Sequence, residues 1–121
     1  RRQRQMCIRD SMGLSTSARS GLHGLSKALS REVAQYNITI NNVLPERIDT
    51  DRQTQILNFQ AKLADSTYEV AKKELEESLT AKRMGTVEEF SGICTFLCSE
   101  QAAYISGQNI SVDGGNSTNL I

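Results

Sequence analysis

The chain has 121 residues, and its 14 Lys and Arg balance 14 Asp and Glu. That length fits one domain or part of one, and no apolar run approaches the ~20 residues of a membrane span. With three Tyr, three Phe and no Trp, a core must be built on Leu, Ile and Val.

The first segment, Arg1 to Asp10, resembles the translation of a tagmentation sequencing adapter, one reading frame of which reproduces it. A basic arm or targeting segment is the alternative. Residues 1–11 are expected to be an artefact, with the polypeptide proper running over 12–121. Such scars are set aside from fold reasoning. Without them Lys plus Arg fall from 14 to 10 and Asp plus Glu from 14 to 13, leaving about −3. The basic patch disappears, so no nucleic-acid or anionic-membrane partner is expected, and no segment reads as a secretory leader.

Leu14, Ala18, Leu22, Leu25, Leu29 and Val33 recur at helical spacing, which predicts a helix from the Ser15-Thr-Ser17 cap region to about Tyr36. Gly21 and Gly24 weaken it, and a neighbouring helix or a ligand approaching closely is the expected compensation. Asn37 suits a left-handed helix terminus. Ile38 to Leu44 reads as a strand buried on both faces, and Pro45 stops it.

After the loop Glu46 to Asp51 the pattern predicts two polar helices, about Arg52 to Ala64 and Thr67 to Lys82. The second pairs Glu69 with Lys73 and carries Tyr68, Val70, Ala71, Leu75 and Leu79 on a narrow stripe. Thr86-Val-Glu-Glu89 is a capping box opening a third helix with Phe90, Ile93, Cys94 and Leu97 on its buried face. Gln108 to Val112 alternates as a last short strand, broken by Asp113-Gly-Gly115.

Cys7 falls in the adapter-like segment. Cys94 and Cys98 stand one helical turn apart, too few ligands for a metal. They are expected to be buried small apolar residues in a protein of a reducing compartment.

The order helix, strand, helices, helix, strand fits the end of a doubly wound α/β sheet. Two strands make no sheet covered on both faces, so the chain reads as incomplete.

Six blocks in order carry a family resemblance. They are Ser26-Lys-Ala-Leu29, Ile38-Thr-Ile-Asn-Asn-Val-Leu-Pro45, Ile48-Asp-Thr50, Arg83-Met-Gly85 with Glu88-Glu-Phe90, Phe96-Leu-Cys-Ser-Glu100, and Ile105-Ser-Gly-Gln108 with Val112-Asp-Gly-Gly115. From about Leu14 to Gly115 the chain resembles the carboxy-terminal half of short-chain dehydrogenases/reductases, and most of all 3-oxoacyl-acyl-carrier-protein reductase-like members. Arg19-Ser-Gly-Leu-His-Gly24 resembles a divergent branch of them.

The resemblance implies an α/β fold, the carboxy-terminal part of a Rossmann-type doubly wound parallel sheet whose amino-terminal half is missing. It implies an oxidoreductase that moves hydride between NAD or NADP and a small-molecule carbonyl or alcohol substrate. It further implies a cytoplasmic homo-oligomer, tetramer or dimer, with contacts from the Thr86 to Ser99 helix and the last strand. The glycine-rich phosphate loop and the catalytic serine would precede Met12, leaving the fragment itself inactive.

Among residues, the resemblance gives Lys27 the nicotinamide ribose. A tyrosine usually stands four residues before that lysine, where this chain has His23. An imidazole, with an unperturbed pKa of about 6.5, can donate a proton, while a second cation beside Lys27 is unfavourable. His23 is therefore either the proton donor or an ordinary polar substitution in a non-catalytic relative that acts through assembly or ligand binding. Arg19, one turn earlier, is an alternative electrophile or a surface ion-pair partner. Pro45, Ile48 and Thr50 correspond to the segment over the nicotinamide, with an amide near Ile48 meeting the carboxamide. Glu46 replaces the usual glycine. Read without the family, the same segment is a strand-to-helix connection capped by Asp49 or Thr50.

Overall fold

A computed structural model describes residues 13–118; the adapter-like segment and Cys7 lie outside the described residues. The elements are α1 (Gly13–Val33), β1 (Asn42–Pro45), α2 (Asp51–Leu63), α3 (Tyr68–Ser78), α4 (Val87–Leu97) and β2 (Asn109–Val112), with short 3-10 turns at Ala34–Tyr36 and Glu100–Ala102. They divide into two compact units. One takes the chain up to Asn42 together with Ala103–Asn109, and the other takes Val43–Ala102 with the chain from Ile110.

In the first unit α1 ends where expected. Asn37 adopts φ 58°, its N–H donating to the Ala34 carbonyl, and a short polar side chain tolerates this left-handed conformation best after glycine. The helix turns a polar strip inward. Ser26 and Ser30 are its buried residues, while Leu14, Leu22, Leu25 and Leu29 are exposed, Leu22 and Leu25 each at 55%. Ser26 Oγ donates to Asn42 Oδ1 at 3.2 Å, and Ser30 Oγ donates to the Lys27 carbonyl at 2.8 Å. A Cβ at Gly21 or Gly24 would meet nothing within 4 Å, so among the described residues no helix approaches them.

Polar side chains also order the chain that enters β1. Asn41 Nδ2 donates to the Ile105 carbonyl at 2.7 Å while its Oδ1 accepts from Gln108 N–H at 3.1 Å. Ile40 N–H donates to Ser106 Oγ at 3.2 Å, and Gly107 N–H to the Ile40 carbonyl at 2.6 Å.

The two strands form one sheet. Asn42 N–H donates to Gln108 O and Glu46 N–H to Val112 O; partners that advance together mean parallel pairing. The strand itself is shorter than the expected Ile38 to Leu44, and it is not buried on both faces. Ile38 is exposed, and Val43 and Leu44 are half-buried. The reason is that, among the described residues, β1 has a strand neighbour on one side only.

The second unit has an apolar centre. Leu57, Leu79 and Met84 are buried with Tyr68, Ala71 and Leu75 packed on them, whereas Val70, expected on the same stripe, is exposed. Residues 68, 71 and 75 share a helical face that 70 does not. The helix α3 stops at Ser78, short of the expected Lys82, because Leu79 turns to an extended ψ of 148° and drops into the core. Lys73 pairs with Glu77 at 3.9 Å rather than with the expected Glu69.

Thr86 opens α4 with both halves of the capping box: its Oγ accepts from Glu89 N–H at 3.1 Å, and Glu89 Oε2 accepts from Thr86 N–H at 2.8 Å. The predicted inner face of α4, Phe90, Ile93, Cys94 and Leu97, is half-buried. Contrary to expectation Cys98 is exposed. It follows the last residue of α4, where the chain bends away from that face.

Candidate functional site

The segment after β1 is fixed from its backbone outward. Ile48 and Gly85 form a parallel bridge: Gly85 N–H donates to the Arg47 carbonyl at 2.9 Å, and Asp49 N–H to the Gly85 carbonyl at 2.8 Å. A Cβ at Gly85 would lie 2.9 Å from Ile48 Cδ1, so a larger residue there would push the end of the Ile48 side chain aside. Alternate residues of an extended chain turn their N–H groups to opposite sides, so the Ile48 N–H points away from Gly85. Among the described residues nothing accepts it. Thr50 then caps α2, its Oγ accepting from Gln53 N–H at 3.4 Å, which leaves the hydroxyl hydrogen available. Pro45 closes β1 and is exposed.

Glu46, which replaces the glycine of the resemblance, is turned to structural use. Its Oε1 accepts from Asn116 Nδ2 at 2.7 Å, and Asn116 Oδ1 accepts in turn from Thr80 N–H. Asp113 holds the turn after β2, its two carboxylate oxygens accepting from Gly115 N–H and Ser117 N–H, each at 3.0 Å. A cleft of about 180 Å³ is lined by Arg47, Ile48, Arg83, Glu89, Val112 and Asp113 among others. Arg83 is neutralised there. Its Nη1 and Nη2 donate to Glu89 Oε2 and Oε1 at 2.8 and 2.7 Å, a paired geometry that suits guanidinium to carboxylate. The Arg83 bonds, with help from Thr86 N–H, hold the Glu89 carboxyl down at about 2 and raise Arg83 further.

Lys27 and His23 belong to the other unit. The Lys27 ammonium donates to the Gly107 carbonyl at 3.1 Å, and Gly107, at φ +71°, is where the chain turns into β2. His23 is half-buried on α1. Pro45, Ile48 and Thr50 therefore come together in one unit and Lys27 with His23 in the other. Among the described residues no group of His, Cys, Asp or Glu converges as a metal site, and no helix is long and apolar enough to cross a membrane.

The sequence profile of a family described as enoyl-(acyl carrier protein) reductase matches residues 5–117. The chain belongs to the short-chain dehydrogenase/reductase family. Among curated relatives of this short-chain dehydrogenase/reductase is the NADPH-dependent reductase BacG of Bacillus subtilis (strain 168), 37% identical over 97 residues, which are 80% of this chain and 38% of that protein. Another is the 3-oxoacyl-[acyl-carrier-protein] reductase FabG of Chlamydia muridarum (strain MoPn / Nigg), 40% identical over 99 residues, 82% of this chain and 36% of the relative. The crystal structure of L-sorbose reductase from Gluconobacter frateurii, complexed with NADPH and L-sorbose, superposes with a TM-score of 0.76 at 30% identity, over 84% of this chain and 39% of that one. The chain thus spans well under half the length of the relatives it matches. Its α/β elements are part of the Rossmann-type doubly wound parallel fold of short-chain dehydrogenases/reductases.

Sequence reasoning missed the Glu46–Asn116–Thr80 chain of hydrogen bonds and the Arg83–Glu89 pair. The first joins residues far apart in sequence and leaves no local signal. The second had one, since Arg83 stands three residues before the Thr86 capping box.

Proposed function

We propose that the protein carrying this chain is an NAD(P)-dependent oxidoreductase that transfers hydride between the nicotinamide and a small carbonyl or alcohol substrate, 3-oxoacyl reductase-like in class. The observation that carries this reading is the Ile48 N–H. It is fixed by the Gly85 bridge after the carboxyl end of β1, the end at which doubly wound folds bind ligands, and no group of the described chain accepts it. Such a donor fits a carboxamide oxygen. Pro45 and Thr50 flank it, and the resemblance adds Lys27 as the cation and His23 as the proton donor. When bound, the nicotinamide supplies the hydride; the residues here orient it and hold its ribose.

NADPH-dependent relatives such as BacG support the same cofactor class. A cytoplasmic homo-oligomer, assembled through α4 and β2, is part of the proposal. One observation favours the second reading, a non-catalytic relative: the Lys27 ammonium is already taken by the Gly107 carbonyl.

Binding of NADPH and NADH by the full-length gene product, followed by nicotinamide fluorescence, tests the proposal. Saturable binding with turnover of a 3-oxoacyl thioester is expected. Binding without turnover of any carbonyl or alcohol leaves the non-catalytic relative, and no binding at all removes the oxidoreductase reading.

A further inference from the structure

We infer that the cleft beside Ile48 is a second binding site, built for a small aliphatic monocarboxylate that the Arg47 guanidinium holds. The inference goes beyond the oxidoreductase reading and does not rest on it. All the residues that line the cleft belong to the second unit.

Its walls are set before any ligand enters. The Ile48–Gly85 bridge fixes one side, where Ile48 Cδ1 lies 2.9 Å from the place a Gly85 Cβ would take. Gly114 brings the turn after β2 equally close to the chain leaving α3: at φ +61° a Cβ there would lie 2.9 Å from Ala81 Cβ. Asn116 ties that turn down, donating to Glu46 and accepting from the N–H and the hydroxyl of Thr80. Three stretches of chain are thus joined around one concavity, in the manner of ligand sites that are largely preformed.

Size and lining select the ligand. At about 180 Å³ the cleft is smaller than the roughly 300–1,000 Å³ of drug-sized sites. Water takes about 30 Å³ per molecule, so one organic molecule of about six non-hydrogen atoms fits. Ile48, Leu79, Ala81 and Val112 offer it apolar surface. Of the charged groups, Arg83 and Glu89 neutralise one another through hydrogen bonds of 2.8 and 2.7 Å. Asp113 spends both carboxylate oxygens on the N–H groups of Gly115 and Ser117. That leaves Arg47, whose side chain makes no hydrogen bond or ion pair among the described residues. A guanidinium takes a carboxylate through two parallel hydrogen bonds, while the charge of Asp113 would repel a second carboxylate on the same ligand. A four-carbon chain ending in one carboxylate meets size, lining and charge together.

The test is binding of sodium butanoate to the full-length gene product, titrated by saturation-transfer NMR of the ligand methyl protons. The parent is compared with its Arg47→Gln, Arg47→Lys and Ala81→Leu variants, each checked for folding by circular dichroism. Butanoate should bind in the millimolar range. Butanamide, of the same shape without the charge, should bind about tenfold more weakly, and succinate should also bind more weakly than butanoate. Arg47→Gln should weaken butanoate about tenfold or more, as loss of hydrogen bonds from a charged donor does, and Arg47→Lys should recover part of that. Ala81→Leu fills the cleft without touching Arg47 and should abolish binding; if it does not fold, Ala81→Val serves the same comparison. The inference is overturned if butanoate does not bind, if butanamide or succinate binds as tightly, or if Arg47→Gln or the filled cleft binds like the parent. Butanoate binding that is lost in Arg47→Gln supports it even where NADPH and NADH do not bind and the oxidoreductase reading fails.

Discussion

The two units are stabilised by opposite chemistry. Around α1, the buried positions are two serines, and the contacts across the unit are hydrogen bonds donated by the side chains of Ser26, Lys27 and Asn41 and accepted by that of Ser106, while the leucines face outward. Around α2 and α3, a leucine and methionine centre is closed over by Tyr68, Ala71 and Leu75, and polar pairs stay at the surface. A net hydrogen bond contributes about 0.5–1.5 kcal/mol, whereas fully burying a leucine contributes roughly 1.5–3 kcal/mol. The second unit thus holds itself together by burial. The first is specified in geometry by its polar contacts but leaves its apolar ridge for another surface.

The largest effect that sharpens this contrast is expected at Leu57, 1% exposed. Leu57→Ala should cost about 2–5 kcal/mol, measured by urea unfolding, and hydrogen exchange should show protection lost first within α2 and α3. Equal loss throughout the chain would break the comparison. Next comes Gly107→Ala, which combines a positive φ with a Cβ 2.5 Å from Ser30 Oγ and 3.1 Å from Lys27 Cδ. It should cost about 1–3 kcal/mol, read as faster amide exchange at Ile40 and Asn42.

Gly21→Ala should have the reverse sign. With open space around it, alanine should raise helix stability by roughly 0.5–1 kcal/mol, seen as a higher melting temperature of α1 by circular dichroism. Weakened self-association of the same variant would show that the ridge is covered by another chain.

The smallest effect concerns acid. Glu89 has its carboxyl lowered to about 2 when folded, mainly by the Arg83 hydrogen bonds, against about 4.3 in an unfolded chain. The stability from this shift is complete above about pH 4.3 and is lost as pH falls towards 2. Because the pair is exposed, the slope should be shallow. Glu89→Gln should remove it, and a variant with an unchanged pH profile would dismiss the pair as a contributor.

What was legible in the sequence was whatever rests on neighbours along the chain. The Thr86 to Glu89 capping box, the left-handed Asn37 and the Asp113-Gly-Gly turn were all readable, because each needs only three or four residues to define its hydrogen bonds. Less was readable wherever a partner decides the outcome. Leucine periodicity announced α1 but could not say that Ser26 and Ser30 would face inward, since burial of a ridge depends on what lies against it. Leu79 continued the α3 pattern on paper and left the helix because the core offered more than another turn. For the site, the residues after β1 were found by pattern, while the occupation of Lys27 by Gly107 joins positions eighty residues apart and has no local trace.

The bridge between Ile48 and Gly85 closes a loop that contains all of α2 and α3. Closure costs rise only slowly with loop length, so outside Leu57, Leu79, Met84 and the residues packed on them the stretch between can change at its surface while its base stays fixed. The closed base at Ile48 thus separates a fixed backbone segment from the exposed positions of α2 and α3, which the fold leaves open to substitution.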